Sequence, residues 1–154
     1  MKKVLYTMLQ IVWGFPQTLL GFIIFIITIK CPHHYFFGSI CTSWKWKSSL
    51  SLGLFIFVSD DPFYYYYSQK SNYTYDEFFS MLVAHEYGHT IQSLMFGPFY
   101  LLIVGIPSIL WARLPVFRKK RLKEKKSYFA VYPEKQATRL GERFTGFRFP
   151  QNMI

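Results

Sequence analysis

Residues 74–98 read TYDEFFSMLVAHEYGHTIQSLMFGP. Thr74 and Glu77 have the spacing of a capping box, in which the first side chain caps and the second reaches back. Asp76 and Glu77 suit the positive end of a helix dipole. Gly97-Pro98 supplies a stop, with Gly just past the end and Pro unable to continue. The stretch therefore predicts a helix over 75–96, lined with Phe78, Phe79, Met81, Leu82, Leu94, Met95 and Phe96.

Near the middle of that helix stands His85-Glu86-Tyr87-Gly88-His89, an H-E-x-x-H pattern. Histidines four apart lie one turn apart on the same helical face. Both imidazoles can reach a single Zn²⁺, with Glu86 beside an open position to handle a water. The competing reading is two histidines satisfied within a core. A glutamate between them on an apolar helix is costly to bury without a partner such as a metal, which favours the metal.

The rest of the chain is apolar. With 154 residues there is room for one domain plus membrane segments. At 51% hydrophobic and 21% aromatic, the composition is richer in apolar residues than that of ordinary soluble domains. Residues 4–29 contain no charge and no histidine, between Lys3 and Lys30, and exceed the roughly 20 residues that cross a bilayer. Thr28-Ile29-Lys30 lacks the small-residue pattern of a signal-peptide cleavage site, so residues 1–30 are expected to be a membrane anchor helix, which Gly14, Pro16 and Gly21 can kink.

Residues 98–112 are apolar but short of a full crossing, and Gly105 and Pro107 interrupt them. They are expected to associate with the membrane without crossing alone. The net charge of +10 is concentrated in 113–126, where Glu124 alone opposes the cations. Directly after an apolar segment, this run fits attraction to anionic lipid headgroups and a cytosolic placement of the site. No nucleic-acid motif accompanies it, so nucleic acid is not expected as a partner. Cys31 and Cys41 are not spaced as a metal knuckle and do not settle the compartment.

Between anchor and motif, Ser43-Trp44-Lys45-Trp46-Lys47 alternates, and so do residues 50–58; a turn at 47–49 would make them a hairpin. The tyrosines 64–67 read as packing or membrane-interface residues. After the basic run, Pro133 and Gly141 bracket a short helix carrying Glu134 in its first turn. The fold class expected is α+β: a membrane helix, a small β-hairpin or sheet, the motif helix with a following apolar helix, and a short ligand-bearing helix.

A catalytic zinc usually takes three protein ligands. The spacing leaves Glu134 and Glu142 as candidates, since Glu124 lies among cations and Asp76 and Glu77 already serve the helix start. Here the chain resembles the gluzincin type of zincin, in which a glutamate on a second helix, in an E-x-x-A-D setting, completes the site. Glu134-Lys135-Gln136-Ala137-Thr138 matches the Glu and the Ala and has Thr138 where the acid stands. Residues 85–93, running into Gly97-Pro98, also resemble small bacterial membrane proteins with a zincin-like site. The resemblance implies a minimal zincin-like domain over 31–154 and a zinc metallopeptidase with ligands His85, His89 and Glu134 and general base Glu86. It implies a peptide substrate laid along an edge strand including Leu52, Gly53, Leu54, Phe55 and Ile56. Tyr128 and Tyr132, near the ligand helix, are candidate oxyanion donors. An intramembrane-cleaving protease and a non-catalytic zinc-binding membrane or partner-binding protein, drawing in His33, His34 or a cysteine, are the alternatives.

Overall fold

The computed structural model describes residues 3–64, 70, 72–124 and 127–149. Residues 1–2 of the expected anchor, three of the four tyrosines (65–67) and residues 125–126 of the basic run lie outside these. The described chain is α+β, with helices α1 (Lys3–Val12), α2 (Phe15–Ile27), α3 (Tyr75–Phe96), α4 (Ile106–Arg113), α5 (Pro115–Glu124) and α6 (Glu134–Thr145). Strands β1 (His33–Phe36), β2 (Ser39–Trp44), β3 (Leu50–Leu52) and β4 (Phe55–Ser59) form one sheet in the order β1-β2-β4-β3. The β1–β2 and β3–β4 pairs are antiparallel and β2–β4 is parallel.

Helix α3 is the axis of the fold, and it forms over the expected span. Thr74 accepts from the Glu77 N–H while the Glu77 carboxylate accepts from the Thr74 N–H, and Gly97 closes the helix at φ +52°. Every residue from Leu82 to Ser93 is buried, so the helix is surrounded on all sides. Val83, Tyr87 and Ile91 join Phe57, Phe78 and Phe129 in the core. Full burial of side chains this large contributes about 1.5–3 kcal/mol each.

The single helix expected over residues 1–30 requires correction. Residues 4–29 form two helices bent by 98° across Trp13–Gly14, and no described helix is long and apolar enough to cross a membrane. Gly14 leaves no room for a side chain, since a Cβ there would meet Gln10 Oε1 at 2.8 Å and Ser93 Oγ at 3.1 Å. Pro16 suits the start of α2. The Thr18 hydroxyl donates to the Gln10 carbonyl at 2.7 Å, satisfying a group freed by the break. The expected kink is therefore a full corner.

The strand expectation also changes. The first strand ends at Trp44 instead of reaching Lys47, and Trp46 is exposed. Residues 50–58 are two strands joined at Gly53-Leu54, because Gly53 adopts φ +59° as a tight hairpin turn requires. Strand β4 is buried throughout and lies inside the sheet, so Phe55 and Ile56 cannot form an edge; the edge is β3. Downstream, residues 99–112 form a 3₁₀ turn, a π-helical turn over Leu101–Gly105 and α4. Of the basic run, residues 115–124 form helix α5, and the ligand-bearing helix runs past Gly141 to Thr145, capped by Gly146 at φ +81°.

Candidate metal centre

The site is built where α3 crosses α6. Gly88 and Gly141 remove side chains at the crossing: a Cβ on Gly88 would sit 1.8 Å from the Ala137 carbonyl oxygen, and one on Gly141 would sit 2.1 Å from that of Ala84. The two backbones therefore touch, which brings the first residue of α6 against the middle of α3. Glu134 Oε2 lies 3.2 Å from His85 Nε2 and 3.4 Å from His89 Nε2. One ligand atom from each of the three residues falls within 4.8 Å of the others, and all three residues are buried. This group can hold a metal ion. Glu142 does not join it; its carboxylate accepts from the Phe149 N–H.

Each ligand is oriented by a further side chain. The Thr138 hydroxyl donates to the Glu134 carbonyl, so its oxygen accepts from His85 Nδ1–H at 3.0 Å. The Gln92 amide donates to the Pro133 carbonyl and to Gln136 Oε1, which turns its own Oε1 toward His89 Nδ1–H at 2.7 Å. Both imidazoles thus present Nε2 to the centre. Ser108, on α4, donates to Glu134 Oε1 at 2.5 Å and leaves Oε2 to face the histidines.

Electrostatics ties the same groups together. Burial alone would raise the Glu134 carboxyl, but His89 and His85 outweigh it and hold it well below the usual carboxylate range. Burial would lower the His89 imidazole. The Glu134 carboxylate beside it reverses this, with Glu86 and the Gln92 hydrogen bond adding, and lifts it to about 9. The protonated His89 and Glu134 form a buried ion pair, and a divalent cation bound there takes the place of the proton.

No family model, curated protein or solved structure matches this chain.

Glu86 is buried, and its Oε2 accepts from Ser51 Oγ at 2.5 Å. Ser51 sits opposite Ile56, one pair in from the two-residue turn, so its carbonyl points off the sheet edge. Tyr100 Oη donates to that carbonyl at 3.2 Å. Burial and the nearby Glu86 and Glu134 charges keep the Tyr100 phenol well above its ordinary pKa.

The tyrosines expected as oxyanion donors, Tyr128 and Tyr132, lie on the segment just before α6. Tyr128 gives its carbonyl to the Trp111 indole N–H and its ring to the Arg121 guanidinium, and the Tyr132 side chain is half exposed. Of the expected substrate strand, Leu52 and Leu54 are buried, and Gly53 packs on Thr18. His33 bonds Thr42 and the Ile29 carbonyl and His34 packs on Phe79, apart from the cluster.

Sequence reasoning missed Ser51, Gln92, Tyr100 and Ser108. Gln92 carried a signal, being three residues after His89 on the same helix. The other three approach from distant segments.

Proposed function

We propose that the protein is a membrane-seated zinc metallopeptidase of the zincin kind, with its site toward the cytosol. The observation that carries the reading is the convergence of Glu134 on His85 and His89, with Glu86 between the histidines in sequence. Two imidazole nitrogens and one carboxylate oxygen form a donor set that suits zinc. Among the described residues the cluster offers three ligands, which favours an open coordination position over a closed structural site.

A zinc ion held there supplies Lewis acidity toward a water and a peptide carbonyl. The protein's residues do the remainder. Ser51 holds one Glu86 oxygen, leaving the other to accept the proton of the attacking water and pass it to the leaving amine. Tyr100 is a neutral hydroxyl donor for the developing oxyanion, once it lets go of the Ser51 carbonyl. Released from Tyr100, that carbonyl also becomes available to an extended peptide adding to β3. Since His85, Glu86, His89 and Glu134 are all buried, a covering segment must move for a peptide to enter.

Metal analysis and proteolysis of a generic peptide test the reading. Wild type should bind one zinc and cleave, and Glu86→Ala should keep the zinc and lose cleavage. Zinc-loaded wild type without cleavage of any peptide, or equal cleavage by Glu86→Ala, would overturn it.

A further inference from the structure

Helices α1 and α2 are inside out. Inward they turn Tyr6, Gln10, Gln17 and Thr18, all buried, and outward Val4, Met8, Val12, Phe15, Ile23 and Ile27, all exposed. The polar groups are used in packing: Gln10 donates to the Thr90 carbonyl, Gln17 to Ser93 Oγ and the Gly97 carbonyl, and the Tyr6 hydroxyl bonds Thr90 and Ser39. Phe22 and Phe25 of α2 also pack inward on Phe55, but apart from Lys3 and Thr7 the outward face of the two helices is apolar. Packing through glutamine, serine, threonine and glycine behind such a face suits a solvent of acyl chains, not water.

This surface continues beyond the two helices. The Trp13 indole covers Gly97 and donates to the Leu94 carbonyl, joining the α1–α2 corner to the end of α3. From there Phe99, Leu102, Ile106, Ile109 and Leu110 extend it along the 3₁₀ turn, the π turn and α4. Helix α5 follows with Arg118, Lys119, Lys120, Arg121 and Lys123, the charge that complements anionic headgroups at the border of such a belt. Each bent helix pair, Lys3–Ile27 and Tyr75–Arg113, is long and apolar enough only when taken together, as a broken span or a re-entrant loop.

The metal centre lies directly behind this belt. Ser108 on α4 bonds Glu134, while Ile106 and Ile109 of the same helix face outward. A single helix, about 10–12 Å across with its side chains, therefore separates the ligand carboxylate from the apolar surface. We propose that α1, α2 and residues 99–114 form one lipid-facing belt, and that the centre behind it acts on polypeptide segments lying in or at the bilayer. The substrate half of this rests on the peptidase reading; the belt does not.

The full chain in vesicles of phosphatidylcholine and phosphatidylglycerol tests both halves. Bromine-labelled acyl chains should quench Trp13 at the corner, so Trp13→Phe should lose at least half of the quenched fluorescence, whereas Trp46→Phe should change it little. A fluorogenic peptide joined to a membrane-inserted anchor should be cleaved at least ten-fold faster than the same peptide free in solution, and Glu86→Gln should cleave neither. Absence of Trp13 quenching, with the chain a stable dimer without lipid, would mean that a second copy covers the surface and would overturn the belt. Equal cleavage of free and anchored peptide would overturn the substrate class and leave the peptidase intact. Quenching of Trp13 with neither peptide cleaved by zinc-loaded protein would support the belt and remove the peptidase reading together with the substrate class.

Discussion

Gly88 and Ala137 meet backbone to backbone: a Cβ on the glycine would lie 1.8 Å from the alanine carbonyl oxygen. This contact sets the distance between the helices that carry the histidines and Glu134. Gly88→Ala should therefore force the helices apart, costing about 2–3 kcal/mol or more. It should also lower zinc stoichiometry although no ligand is changed. Gly141→Ala, which would meet the Ala84 carbonyl oxygen at 2.1 Å, should behave alike. Thermal melts and metal content check both; a melting temperature and zinc content like those of wild type would show that the crossing does not set the site.

Removing a ligand should be more selective than loosening the crossing. His85→Ala and His89→Ala should each abolish stoichiometric zinc, and Glu134→Ala should weaken it sharply, because each removes one of three ligands. Glu142→Ala should leave zinc unchanged, since that carboxylate is engaged on the Phe149 N–H. Zinc lost in Glu142→Ala and retained in Glu134→Ala would reverse the assignment.

Gln92 and Ser108 should matter to zinc without touching it. Gln92 accepts from His89 and Ser108 donates to Glu134, and removal of such orienting partners typically costs 10–100-fold in metal affinity. Gln92→Ala and Ser108→Ala should both fall in that range by competition with a chromophoric chelator. A change below two-fold would mean that the ligands hold their orientation unaided.

The His89–Glu134 pair predicts opposite pH responses with and without metal. His89 is raised to about 9 in the folded chain, against about 6.5 unfolded. Its contribution to stability is complete below pH of about 6.5 and is lost as pH rises to about 9. Glu134 is lowered, so its share is complete above its ordinary value of about 4.3 and is lost only in acid. Metal-free protein should thus lose stability between pH of about 6.5 and 9. Zinc competes with the His89 proton, so the melting-temperature gain on zinc addition should grow over the same window. A gain that shrinks with rising pH would contradict the pairing.

The two cysteines should differ in reactivity. Burial, with the Glu86 charge adding, pushes the Cys41 thiol up to about 12, whereas Cys31 is partly exposed. The thiolate is the nucleophile, so an alkylating reagent at pH 8 should modify Cys31 in the folded protein and Cys41 only after unfolding. Mass spectrometry of the digested protein reads this directly. Comparable modification of both thiols before unfolding would contradict the burial of Cys41.

The elements most legible in the sequence are those with local signals. The span of α3 follows from Thr74, Glu77 and Gly97, and its two histidines share a face because helix geometry places residues four apart together. Glu134 at the start of α6 was within reach of resemblance, but spacing alone left Glu142 beside it. The corner between α1 and α2 was foreseen only as a kink: Gly14 and Pro16 permit it, while the packing of Gln10, Gln17 and Thr18 against each other and α3 makes it a right angle. Residues 50–58 alternate as one strand would, and only the backbone of Gly53, packed on Thr18, turns them into two. Ser51, Tyr100 and Ser108 left no mark, because a serine or tyrosine in an apolar run has no pattern of its own. Their roles come from close contact across the fold: Tyr100 reaches Ser51 across 49 positions and Ser108 reaches Glu134 across 26. Local hydrogen bonding and periodicity thus wrote the helix and its motif into the sequence, while the completed site depends on how α3, α4, α6 and β3 pack against one another.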